Sequence, residues 1–194
     1  MMKRTLSKAD ILPMTEFEGL RPQKRQEIMA LKKKRRVFVG PFALFIFENY
    51  DTLWWQVHEM LRIEKGGDEQ IQDELDAYVP LIPQGKELVA TFMLEIDDPQ
   101  IRAHLLGQLG GIEDTIQIRM GDEIIRAHPT RDQNRTTDTG KTSSVHFLHF
   151  KMTADQALKF KSQDTLPRIQ ITHPAYIYET ELEKEVYESL KGDL

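Results

Sequence analysis

The sequence predicts an α+β fold: an antiparallel or mixed sheet of about seven strands, flanking helices and a helical N-terminal segment. Three observations carry that expectation. Apolar residues alternate with a two-residue period in several short runs, and the stretches between those runs carry apolar residues at helical spacing. Two of the strand-like runs are split only by Gly40-Pro41 or Gly121-Asp122, which leaves room for a tight turn and forces antiparallel pairing.

Taken in order, residues 1–36 form the helical segment, with Pro22 suited to a first turn and Ile28, Met29 and Leu31 giving a partial apolar stripe. The run Lys32-Lys33-Lys34-Arg35-Arg36 complements the negative end of that helix. RVFVGPFALFIF then reads as a hairpin whose second strand, apolar on both faces, must be covered on both. Asp51 offers an N-cap to a helix over 51–65 that Gly66-Gly67 stop, and a second short helix runs from Glu69 to Tyr78. KELVATFMLEIDD is a strand, Pro99 to Gln108 a helix, and IQIRM-GD-EIIRAH a hairpin. The polar stretch 129–144 lacks apolar periodicity and is long for a connection, so it is expected to be either a mobile flap or a disordered segment. Strand VHFLHF, helix ADQALKF behind Thr153, strand RIQIT, the tight element His173-Pro174 and a helix from Glu179 to Leu190 complete the chain. With no repeat and no low-complexity linker, residues 1–194 are expected to form one domain.

Composition excludes several function classes. With 40% hydrophobic and 29% charged residues, the chain can build a core and is not globally disordered. It has no Cys, hence no disulfide and no thiolate-ligated iron–sulfur cluster, and any metal must sit on His, Asp or Glu. A net charge of −5 argues against nucleic acid or an anionic membrane as partner. The N-terminus lacks the apolar core of a signal peptide, and the apolar run Val37–Phe47 is well short of the roughly 20 residues that cross a bilayer. A cytoplasmic protein is expected.

Three near-motifs fail on chemistry. His58-Glu59-Met60-Leu61-Arg62 resembles a zinc-protease helix, but Arg62, a permanent cation, stands where the second histidine ligand belongs. Gly140-Lys141-Thr142 resembles the end of a phosphate-binding loop, but Arg135 replaces the required earlier glycine and a strand follows instead of a helix. Nor does any Glu-x-x-His pair exist for a di-iron bundle.

Two constellations survive. Trp55, His58, Glu59 and Arg62 share one face of the 51–65 helix and form a candidate binding surface. His146 and His149 fall on opposite faces of their strand and cannot share a metal. His146, with Leu148 and Phe150, is instead grouped with His173, Tyr176, Glu48 and Glu95 as a candidate catalytic pocket. Of these, His146, His173 and Glu95 are the candidate metal ligands. Arg131 and Arg135, with Lys141, would meet an anionic ligand from the flap.

The segments FENYDTLWWQVHEMLRIE, DELDAYVPLIPQGKELVATFMLEIDDP, SSVHFLHF and HPAY together resemble the bacterial domain-of-unknown-function family 3501, and the likeness begins at KRTLSKADILP. That resemblance implies no assigned activity or cofactor. It does imply a setting, because family members are encoded near rubrerythrin-like and iron–sulfur oxidoreductase proteins. In the family pattern the position of His149 is often another basic residue. The leading expectation is therefore an accessory or binding protein beside a redox system, with homo-oligomerisation left open. The alternative is a small metal- or ligand-binding enzyme built on the His/Glu/Tyr pocket.

Overall fold

The computed structural model describes residues 3–130 and 140–194. Among them stand six α-helices and nine strands, all of whose pairings are antiparallel, so the α+β class holds and the strand count rises from seven to nine.

Helix α1 (Met14–Lys33) starts behind Pro13, which leaves Pro22 inside the helix rather than in its first turn. Strands β1 (Arg36–Val39) and β2 (Ala43–Phe47) form the expected hairpin, and every residue of β2 is buried. Helix α2 (Tyr50–Glu64) is capped two residues earlier than the sequence suggests. Asn49, not Asp51, takes the Thr52 amide at 3.0 Å, and the Thr52 hydroxyl takes the Asn49 amide at 2.9 Å. After α3 (Gly67–Tyr78), β3 (Glu87–Leu94) pairs with β2, and Asp98 caps α4 (Pro99–Gln108). Then come β4 (Ile116–Met120), β5 (Glu123–Arg126), the short β6 (His128–Pro129), β7 (Val145–Lys151), α5 (Ala154–Ser162), β8 (Arg168–His173), β9 (Tyr176–Glu181) and α6 (Lys184–Lys191).

Strands β6 and β9 are the two that the sequence reading lacks. Tyr176–Glu181, whose last three residues the sequence assigns to the final helix, instead folds back on β8 in register His173↔Tyr176 to Arg168↔Glu181, and the helix begins only at Lys184. Cross-strand pairing here outweighs the modest helix preference of Glu179–Glu181.

One sheet runs β1-β2-β3-β7-β6 and the other β5-β4-β8-β9. The chain passes between them at Ala127: β5 pairs with β4 in one sheet, and two residues later β6 pairs with β7 in the other. The facing sides enclose a shared core that includes Val39, Phe45, Phe92, Leu148, Phe150, Ile116, Ile118, Ile169 and Ile171, closed by Phe160, Val186 and Leu190 from the last two helices. On the opposite side of the five-stranded sheet, α2 lays Leu53, Val57 and Leu61 over Val89, with Leu75 of α3 and Leu6 of the N-terminal segment beside them. α1 forms the outermost layer, where Phe17 and Ile28 pack on Trp55.

Candidate functional site

Residues chosen from the sequence divide into three places. The first is the seam between the sheets. β7 alternates as expected, with His146, Leu148 and Phe150 inward and His149 on the other face, where its Nδ1 lies 3.0 Å from Glu87. His146 is wholly buried; its Nε2 donates to the Ser143 carbonyl at 2.9 Å and lies 3.1 Å from the Thr142 hydroxyl. On the other sheet, His173 places Nε2 3.3 Å from the Gly110 carbonyl while Nδ1 accepts the Ala175 amide at 3.2 Å. The His146 imidazole thus leans on the residues just before β7, while that of His173 leans on the segment after α4. Gly110 is required there, since a Cβ would stand 2.4 Å from the Gly140 carbonyl oxygen. Three residues on, the buried Glu113 approaches His146 Nδ1 at 3.9 Å.

The acid that meets His146 is therefore Glu113, and neither Glu48 nor Glu95. Glu48, buried at the end of β2, accepts from Thr91 at 2.6 Å and from the Thr52 hydroxyl, tying β3 to the start of α2. Glu95 is exposed beyond the end of β3. Among the described residues, no three His, Cys, Asp or Glu side chains stand close enough to hold a metal ion. Arg131 and Arg135, with most of the 129–144 stretch, lie outside the described residues.

Tyr176 sits apart, against the β1–β2 turn. Its hydroxyl donates to the Val39 carbonyl at 2.7 Å and accepts the amides of Phe42 and Ala43 at 3.2 and 3.1 Å, which uses all three of its hydrogen-bonding positions. Burial pushes the phenol pKa up, so it remains protonated in this latch.

The second place is the α2 stripe. Trp55, His58, Glu59 and Arg62 do share a face, and α1 covers it. Arg21 forms a two-point pair with Glu59 at 2.7 and 3.0 Å, holding that carboxyl below the usual range, and Glu18 takes Arg62 Nε at 2.7 Å. Trp55 packs on Phe17, with ring centres 5.6 Å apart. His58 is fully buried, 4.0 Å from the Trp54 ring and 4.7 Å from Phe17. Its Nδ1 donates to the Trp54 carbonyl at 2.7 Å, so Nε2 is the lone pair that accepts the Leu12 amide at 3.0 Å.

This geometry fixes a pH response. Burial lowers the His58 pKa below its ordinary 6.5, against the weaker pull of the Trp54 carbonyl. A depressed folded-state value means that the unfolded chain takes up the proton first, so the stabilisation is complete above about pH 6.5 and is lost as pH falls through the folded value. Thermal melts of the wild type at pH 7.5 and 5.5 should show a lower midpoint in acid. His58→Gln should be less stable at pH 7.5 but flatter across the interval; an equal drop in the variant would remove His58 as the cause.

The third place is the basic run from the last turn of α1 into β1, which period-two phasing splits at the strand. Arg35 shares the inward phase of Val37 and Val39 and is buried, donating to the carbonyls of Phe47 at 2.7 Å and Glu48 at 3.0 Å and to Ser189 at 3.2 Å, with Asp193 as its ion-pair partner. Lys33, Lys34, Arg36 and Phe38 are exposed. Sequence reasoning names Arg35 only within the cationic run at the helix end and names neither Glu113 nor Asp193; of the three, Arg35 alone carries a usable signal, its spacing of two from Val37.

No helix among the described residues is long and apolar enough to cross a membrane. No curated protein matches the chain. A crystal structure of a novel protein of unknown function from Burkholderia pseudomallei K96243 is similar over 98% of this chain and 99% of that one, at 37% identity and a TM-score of 0.90. A family described as "Protein of unknown function (DUF3501)" matches residues 5–194, so the likeness carried by FENYDTLWWQVHEMLRIE and its companion segments extends over nearly the whole chain. The chain belongs to the DUF3501 family.

Proposed function

We propose that this chain is a cytoplasmic accessory protein that docks an acidic partner of a redox system through the basic, aromatic-tipped surface at the start of β1. One observation carries the reading. In a chain of net charge −5, Lys33, Lys34 and Arg36 are exposed together, and none forms an ion pair among the described residues. Phe38, 52% exposed on the edge strand β1, lies under the Arg36 guanidinium at 6.0 Å. Unpaired cations in one short stretch, one of them over an exposed aromatic ring, are suited to an acidic protein surface, where charge speeds encounter and the ring supplies contact area. The family resemblance, with its rubrerythrin-like and iron–sulfur neighbours, supports the redox setting of that partner.

Titration of the full-length protein with the neighbouring rubrerythrin-like protein or iron–sulfur oxidoreductase tests this. Binding should weaken as salt rises, and Lys33→Glu, Lys34→Glu together should weaken it roughly tenfold or more at low salt. Phe38→Ser should lower affinity with little change in salt dependence. Binding that is indifferent to salt and to the double charge reversal would exclude this surface.

A further inference from the structure

At the far end of α1 from the basic surface, the N-terminal segment Ile11–Met14 runs beside the end of α2 and the start of α3, leaving a groove of about 380 Å³. Its walls are largely apolar: Ile11, Leu12, Met14, Leu61 and Ile71. That volume lies at the small end of the roughly 300–1,000 Å³ typical of small-molecule sites, which suits one slender molecule rather than a docked helix.

The rim carries two acidic and two basic side chains, Glu18, Asp68, Arg62 and Lys65, and their pairing is uneven. Arg62 Nε is engaged by Glu18 at 2.7 Å, and Asp68 stands 3.9 Å from Lys8. Lys65, which also lines the groove, has no acidic partner within ion-pair distance among the described residues. It also occupies an unusual position. Its amide closes α2 on the Leu61 carbonyl at 3.1 Å with φ at 56°, and no other non-glycine residue among those described has a positive φ. Glycine would adopt that backbone at lower cost, and Gly66 and Gly67 follow immediately, so a lysine here does not serve the turn.

We propose that this groove binds a single-chain monocarboxylate, with the alkyl tail against Ile11, Leu12, Met14, Leu61 and Ile71 and the carboxylate on the Lys65 ammonium. One unmatched cation calls for one negative charge, and the apolar walls call for a hydrocarbon body. A dianionic phosphate would bring more charge than the rim leaves unneutralised and would place no apolar surface on the walls. The site is independent of the partner-docking surface and does not rest on it.

Decanoate, titrated calorimetrically into the full-length protein below its micelle concentration, is the probe. Saturable binding of one decanoate per chain is expected, with decan-1-ol binding roughly tenfold or more weakly because it lacks the charge. Lys65→Gly should weaken decanoate by a similar factor while its thermal midpoint stays level or rises, since glycine suits the left-handed backbone; the loss then cannot come from unfolding. Ile71→Glu, which puts a negative charge on the apolar wall, should abolish binding. Absence of saturable binding would overturn the proposal, and so would a Lys65→Gly affinity equal to that of the wild type.

Discussion

Replacing Arg35 by Ala is expected to lower the unfolding free energy by about 3–5 kcal/mol, read from the urea midpoint at constant m-value. That is a large share of the roughly 5–15 kcal/mol that holds an ordinary domain folded. Arg35 is 1% exposed and joins four places: its own turn after α1, the end of β2 through the carbonyls of Phe47 and Glu48, α6 through Ser189, and the chain end through Asp193. Truncation would strand two buried carbonyls and leave the Asp193 carboxyl without its counter-charge. Burial already pushes that carboxyl's pKa up, with Arg35 as the main opposing influence, and its Oδ1 has no hydrogen bond among the described residues. Removing both charges together behaves differently, because a buried pair replaced by apolar groups of similar size avoids the desolvation that the pair itself incurs. Arg35→Met with Asp193→Leu should therefore be more stable than Arg35→Ala alone, and this comparison survives even if the single variant fails to fold at 37 °C. A single variant within about 1 kcal/mol of wild type would show that the pair contributes little.

The second large effect is expected at the β1–β2 turn. Gly40 adopts φ of 70°, and a Cβ there would stand 2.6 Å from the Tyr176 hydroxyl oxygen and 2.7 Å from the Tyr178 ring. Gly40→Ala thus incurs the left-handed backbone penalty, about 1–2 kcal/mol, together with displacement of a hydroxyl that serves three backbone groups. Tyr176→Phe removes that hydroxyl and leaves the Val39 carbonyl and the Phe42 and Ala43 amides without it, at about 1–3 kcal/mol. Because both changes act on one contact, their effects should not add: once the hydroxyl is gone, the new methyl meets less obstruction. Denaturant titrations of the two single variants and the double variant measure that coupling. Strict additivity would mean that the Tyr176 hydroxyl is not what excludes a side chain at Gly40, leaving the Tyr178 ring and the turn backbone to do so.

Much of the architecture was legible because it follows local periodicity. The alternation of VHFLHF places His146 inward beside Leu148 and Phe150, and the apolar run ALFIF is buried throughout. Pairing across distant segments was not legible. Tyr176–Glu181 carries no signal distinguishing a strand from a helix start until β8 is beside it, and Asn49 caps α2 through a reciprocal bond with Thr52 that the nearer-looking Asp51 does not make. The same limit governs the sites. Helical spacing correctly puts Trp55, His58, Glu59 and Arg62 on one face, but spacing carries no information on what covers it, and the cover is α1 of the same chain. Glu113 meets His146 only because Gly110 lets the chain after α4 approach Gly140 closely, a contact thirty residues away in sequence.

The passage at Ala127 has a bearing on how the molecule assembles. Since one residue separates a strand of the four-stranded layer from a strand of the five-stranded layer, neither layer can settle its register while the other slides. Amide-exchange protection in the two layers should consequently rise and fall as one cooperative unit, with the outer helix α1, which buries only Phe17 and Ile28 and is otherwise tied by the ion pairs of Arg21 and Glu18, opening first.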